Sequence, residues 1–152
     1  MTSLLSNFAL IAAFTSIVLA QTVKVPLHWL VSRSWSPARG FSTGGMPSSH
    51  SAGVTSLAAA IGITNGLDSS VFAIAVIFSL ITMYDAAGIR RHAGIHATYI
   101  NRILKSYPDA DFQEGKDVNA LNERLGHRPI EVAAGAVFGF LVCIMLYLLV
   151  YR

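Results

Sequence analysis

Charge is scarce in this chain. Only 12% of its 152 residues are Asp, Glu, Lys or Arg, whereas 53% are hydrophobic and the mean hydropathy is +0.55. Soluble domains carry about twice that charge, so an ordinary water-soluble domain is excluded and an integral membrane protein is indicated. Cysteine is scarcer still. Cys143 stands alone inside an apolar run, which excludes a disulfide framework and a cysteine-based metal site and leaves a thiol that packs or faces lipid. Basic runs are missing too. The net charge is only +3 and the Lys and Arg residues are scattered between apolar stretches, so nucleic acid is excluded as a partner.

What is present is a series of apolar runs. Leu4 to Ala20 is near the lower length limit for crossing a bilayer and predicts a first membrane helix. A signal peptide competes, because Val18-Leu19-Ala20 can pass as a cleavage site, but no Lys or Arg precedes the run. From Gln21 to Phe41, Lys24, His28, Trp29, Arg33, Trp35 and Arg39 interleave with Val, Leu and Pro, which predicts a short interfacial helix lying along the membrane. Ala52 to Thr64 is rich in small residues and suits a second, closely packed helix. Asn65-Gly66-Leu67-Asp68 reads as a turn, Ser69 or Ser70 as a cap, and Val71 to Tyr84 as a third membrane helix ending near Asp85.

A soluble insert follows, at about 93–124. In its first half Ile95, Tyr99, Ile103 and Leu104 recur at helical spacing, predicting an amphipathic helix that Pro108 terminates. Ala133 to Tyr151 completes the set as a fourth membrane helix, with Gly135 and Gly139 as a small-residue packing pair. The expected architecture is all-α: an integral membrane helical bundle of about four membrane helices, plus a short interfacial helix and a soluble helical insert, in one domain over residues 1–152.

Alternating helix directions would bring four boundaries to one side: the end of the first helix, the start of the second, the end of the third and the start of the fourth. The unusual polar residues lie at those boundaries. Lys24 follows the first run, Gly44-Gly45-Met46-Pro47-Ser48-Ser49-His50-Ser51 opens the second, Asp85, Arg90 and Arg91 close the third, and His127 with Glu131 opens the fourth. In the second stretch Pro47 suits a first helical turn, Ser48 and Ser49 can cap or donate, and the free amides attract anions. All the Lys and Arg residues except Arg152 fall on this side, which predicts a multi-pass protein whose site faces the cytoplasm.

His127 and Glu131, four apart, share a helical face, so the carboxylate can fix the imidazole tautomer and free the other ring nitrogen to attack. His50 can protonate a leaving oxygen, while Lys24 and Arg90 or Arg91 balance phosphoryl charge. Asp85 pairs with one of those arginines or acts directly. Such chemistry calls for no metal and no cofactor; His92 and His96, four apart, would bind a metal only with a third ligand.

These stretches resemble a known family. Pro47-Ser48-Ser49-His50 is similar to the P-S-G-H motif of the type 2 phosphatidic acid phosphatase superfamily, and His127-Arg128-Pro129-Ile130-Glu131-Val132-Ala133-Ala134-Gly135 to its H-x-P-x-D-V-x-x-G motif. The blocks Thr43 to Ala52, Asp85 to Gly94 and Leu125 to Val132 resemble the divergent branch of that superfamily more closely, and the similarity spans nearly the whole chain. The resemblance implies a metal-independent phosphatase that hydrolyses a lipid phosphate monoester through a phosphohistidine intermediate. Phosphatidate, phosphatidylglycerophosphate and polyprenyl phosphate are unranked candidates. By the same resemblance His127 is the nucleophile, Glu131 its orienting partner and His50 the general acid, with Gly45, Ser48, Ser49 and Lys24 at the phosphate. The superfamily's third-motif arginine falls at Leu121 here, leaving its role to Arg90 or Arg91, and the arginine of the first motif to Arg33 or Arg39. Two other readings are an inactive membrane phosphate- or lipid-binding scaffold and a lipid or phosphate transporter. No oligomeric state follows.

Overall fold

A computed structural model describes residues 6–33, 44–106, 120–123 and 125–151. Every regular element among them is helical: α1 (Phe8–Ser32), α2 (Ser49–Asn65), α3 (Ser70–Ala87), α4 (Ile89–Ser106) and α5 (Pro129–Leu146), the last running into a π-helical turn at Tyr147–Tyr151. Among the described residues three stretches, Phe8–Leu30, Ser70–Ser106 and Pro129–Val150, are long and apolar enough to cross a membrane. The apolar part of the second belongs to α3, because α4 carries Arg90, Arg91, Arg102 and Lys105. The remaining helix, α2, is shorter and rich in Ala, Gly and Ser.

Two expectations fail in α1. It does not stop near Ala20, and no separate interfacial helix forms over 21–33; these residues continue the same helix through Pro26 to an αL end at Arg33. The cause is a packing stripe with a four-residue repeat. Phe8, Ala12, Ser16, Ala20 and Lys24 are all buried, so the face that docks on the bundle continues past Ala20 and draws the following turns in with it. Lys24 is therefore part of a buried face and does not follow the helix. Trp35 and Arg39 lie outside the described residues, as does Pro108.

Hydroxyl caps set the next two helix starts. Ser48 accepts from the Ser51 amide at 3.3 Å and Ser69 from the Phe72 amide at 3.2 Å. Ser48 is thus the N-cap of α2, and Pro47 precedes it instead of occupying the first turn. The Asn65 to Asp68 turn is present, with Gly66 at φ +89°. At the other end of the chain α5 begins at Pro129, earlier than the apolar run suggests. Proline loses nothing there, since its missing amide has no helical partner.

Small residues fix how the helices meet. A Cβ on Gly139 would collide with the Ala52 carbonyl oxygen and sit 2.6 Å from its Cα; one on Gly135 would collide with the Ser48 carbonyl oxygen. Only hydrogen fits at either position, and α5 lies against the α2 backbone in parallel, position 135 beside 48 and 139 beside 52. Gly53 meets Ala13 and Ile17 of α1, while the Ser79 hydroxyl of α3 reaches the Val54 carbonyl at 2.9 Å. Phe8 and Ala12 pack with Ala60 and Cys143, the thiol being buried. Phe8 beside Ala60, with Ile17 beside Gly53, runs α1 antiparallel to α2. Phe72 beside Gly62, with Ser79 beside Val54, does the same for α3. The alternation predicted from the sequence is present.

The amphipathic helix α4 turns its apolar residues outward. Ile95, Tyr99, Ile100 and Ile103 are exposed, and the face applied to the rest of the chain is Gly94, Ala97 and Asn101. That face receives the segment that leads into α5.

Candidate active site

Alternation places the C-terminal part of α1, the start of α2, the end of α3 and the start of α5 at one end of the bundle, and short polar contacts join them. The Ser48 amide donates to the Glu131 carbonyl at 3.0 Å, tying α2 to α5. The His127 amide donates to the Ala86 carbonyl at 2.9 Å, tying the approach to α5 onto the end of α3. Residues far apart in sequence are thereby held on a rigid frame.

His127 is the centre of this arrangement. Its side chain is 1% exposed, and its Nδ1 lies 3.2 Å from Glu131 Oε2. The same carboxylate oxygen accepts from the Arg128 amide at 3.0 Å, so the first turn of α5 fixes the acid that in turn fixes the ring. Carboxylate contact favours Nδ1 as the protonated nitrogen and leaves Nε2 with its lone pair. That Nε2 is buried and makes no acceptable hydrogen bond, although the Gly45 backbone is near enough to favour the charged ring. Burial, the largest influence, lowers the His127 pKa below its ordinary 6.5, and Glu131 works against that shift.

The ring of His50 stands across from His127, centroids 5.8 Å apart in an edge-to-face arrangement. One of its nitrogens, Nδ1, is also buried without a hydrogen bond. His50 lies in the field of Lys24, Arg90 and Asp85 as well as of His127. Lys24, only 4% exposed, is within Coulomb reach of both histidines and of Glu131. Lys24 and the Glu131 carboxylate offset one another among two imidazoles, so the net positive charge that suits the site to an anion comes from Arg91 on the adjoining cleft.

The two arginines separate. Arg90 Nε donates to Asp85 Oδ2 at 2.6 Å, and both groups act on His50 through their charge. Arg91 instead lines a cleft of about 370 Å³ that His127 also lines. Gly44, Gly45, Gly94, Thr98, Glu123 and Glu131 line it as well. Gly45 takes φ +90°, a conformation that glycine adopts without strain, and so turns its backbone toward the cleft. Ser48 and Ser49 are both buried, and the Ser48 hydroxyl is engaged by the amide and hydroxyl of Ser51. His92 and His96 are exposed, and no group of three or more metal-ligating side chains occurs among the described residues.

Some contributors escaped the sequence reading. Asn101 and Glu123 belong to no motif, yet Asn101 is buried and hydrogen-bonded to Glu123. Their signal is the Gly94, Ala97, Asn101 spacing, a helical face of small and polar residues opposite the apolar one. Gly126 is another. At φ +81° its position would place a Cβ on the Arg91 backbone, so only glycine lets this segment lie flat on α4 just before His127.

Comparison with known proteins agrees with the motifs. A family profile described as the divergent PAP2 family matches residues 5–142. An uncharacterized membrane protein of Bacillus subtilis (strain 168), YuiD, is 45% identical over an alignment covering 94% of this chain and 96% of the relative. No solved structure matches.

Proposed function

The chain belongs to the divergent PAP2 family, and on that premise we propose that it is a metal-independent membrane phosphatase acting on a lipid phosphate monoester. The observation that carries this reading is the state of the His127 ring: Nδ1 is held on Glu131 while Nε2 is buried, free of hydrogen bonds and beside His50. A histidine kept only for structure would use both nitrogens.

Two steps follow from that arrangement. His127 Nε2 donates its lone pair to phosphorus, the bond from phosphorus to the lipid oxygen breaks, and His50 gives a proton to that oxygen as it leaves. Water then attacks the phosphohistidine, loses its proton to His50, and inorganic phosphate departs with His127 restored. Glu131 stabilises the ring while it carries charge. Lys24 and Arg91 offset the charge on the phosphoryl oxygens, Gly45 lines the cleft beside them, and Ser48 and Ser49 shape the start of α2. Arg90, tied to Asp85, balances the field at His50. A site at the end of a membrane bundle suits a substrate whose phosphate lies at the headgroup layer, such as phosphatidate, phosphatidylglycerophosphate or a polyprenyl phosphate. The excess of basic residues at this end directs it to the cytoplasm.

Purified protein assayed with these lipids in mixed micelles, with and without chelator, tests the reading. Phosphate release should be indifferent to chelator and lost in His127→Ala and His50→Ala. Full activity in His127→Ala would refute the mechanism, and tight lipid binding without release would turn the protein into a phosphate-binding scaffold, a reading favoured by Leu121 at the arginine position of the third motif.

A further inference from the structure

The segment from Leu121 to His127 has no secondary structure of its own among its described residues, yet it delivers the proposed nucleophile. Its order comes from α4. Asn101, 5% exposed on an otherwise well-exposed helix, spends its whole amide on this segment. Its Oδ1 accepts from the Leu121 amide at 2.9 Å, and its Nδ2 donates to the Leu121 carbonyl at 2.9 Å and to Glu123 Oε1 at 2.8 Å. Further along, a Cβ on Gly94 would lie 3.0 Å from the Glu123 carbonyl and 2.8 Å from that of Leu125, and Gly126 rests on the Arg91 backbone. The segment is therefore held at Leu121 by Asn101, pressed along Gly94 and Arg91, and anchored at its far end by the His127 amide on Ala86.

We propose that Asn101 is a positioning residue: by clamping Leu121 and Glu123 to α4 it sets the register of the segment, and through it the placement of His127 against Glu131 and Arg91. The proposal takes its catalytic meaning from the phosphatase reading, but the clamp itself does not depend on turnover. Asn101 sits far from the reacting atoms, roughly 15 Å along α4 from Arg91 at the usual helical rise. Its contribution is geometric. Backbone groups of an irregular segment need partners when they are covered, and a primary amide satisfies the carbonyl and the amide of one residue at once. An apolar replacement leaves Leu121 and the Glu123 carboxylate without these bonds, and the segment slides.

The test uses the full-length protein with Asn101→Leu, Asn101→Asp and the double variant Asn101→Asp/Glu123→Gln, beside a Ser106→Ala control on the same helix. Asp keeps the shape but sets a carboxylate against Glu123 and the Leu121 carbonyl; Gln at 123 returns a donor to it. With phosphatidate in mixed micelles, Asn101→Leu should lower kcat about 100-fold, the cost of an ångström of misplacement. KM should stay within a few fold, and the acidic limb of the pH profile should move up toward 6.5 as water reaches the imidazole. The double variant should recover part of what Asn101→Asp loses. In parallel, carbethoxylation of His127, read by mass spectrometry, should accelerate in Asn101→Leu and stay at the wild-type rate in Ser106→Ala. Wild-type kcat and wild-type labelling in Asn101→Leu would overturn the proposal, as would a fall in kcat matched only by lost thermal stability with no change in pH profile or labelling. Wild-type protein that is inactive on phosphatidate, phosphatidylglycerophosphate and polyprenyl phosphate alike, but whose His127 labelling still responds to Asn101, would sink the phosphatase reading and leave the clamp standing.

Discussion

Replacing Gly135 with Ala is the most demanding test of the frame that holds the site. The glycine lies one turn beyond Glu131 and faces the first turn of α2. An added Cβ would collide with the Ser48 carbonyl oxygen while standing 3.0 Å from both the Ser48 nitrogen and the Ser51 Cβ. These neighbours are backbone and a cap, not the tip of a flexible chain, so the helices must part by about 1 Å to reach ordinary contact. Overpacking of that kind costs about 1–3 kcal/mol. The same displacement stretches the 3.0 Å bond from the Ser48 amide to the Glu131 carbonyl and carries His127 and Glu131 away from His50. A misplacement of this size lowers turnover about 100-fold. The comparison is Gly62→Ala, whose Cβ would meet only the side-chain ends of Leu67 and Phe72 at 3.0 Å, and which should cost less than about 1 kcal/mol. Thermal unfolding in detergent followed by circular dichroism, with phosphate release on the same samples, gives both numbers. Gly135→Ala with wild-type melting and wild-type turnover would show that α2 and α5 do not meet as described.

Other consequences concern charge and sidedness. Because burial holds the His127 pKa below 6.5, the imidazole stays neutral as pH falls through 6.5, and the acidic limb of kcat/KM should lie below that value. Over the same interval the unfolded chain binds the proton first. The His127 contribution to stability is therefore full above about 6.5 and is lost as pH falls from there toward the lower folded value, visible as a declining melting temperature. Asp85→Asn removes a pair whose side chains are 53% and 33% exposed, so it should change stability by less than about 1 kcal/mol, checked by the same melts. With Cys143 replaced by Ala, a cysteine at Asn122 should be labelled by an impermeant maleimide only after the cytoplasmic face is opened; labelling in intact cells would reverse the orientation proposed for the site.

Much of the site was legible because its residues sit at helix boundaries, where polar side chains stand out against apolar runs. His50, His127 and Glu131 announce themselves by type and spacing, and the small pair Gly135 and Gly139 announces a close helix contact. The α1 boundary was misread for the converse reason. Hydropathy falls after Ala20, but beyond Phe8 the four-residue stripe that runs to Lys24 is made of small and polar members, and hydropathy does not register such a face. Asn101 is a fainter case: the Gly94, Ala97, Asn101 spacing marks a face of α4, but nothing local says that the face receives the segment before His127.

The sequence by itself determined the all-helical membrane character, the order and alternation of the helices, and the end at which the polar groups collect, because each follows from one-dimensional hydropathy and from the reversal of direction at every turn. Tertiary structure alone decided the rest: that Arg90 pairs with Asp85 while Arg91 lines the cleft, that Lys24 is buried within α1, and that α4 holds the approach to His127 through Asn101. Those outcomes depend on distances between residues far apart in the chain, and close packing of backbone on backbone leaves no other arrangement for the groups it brings together.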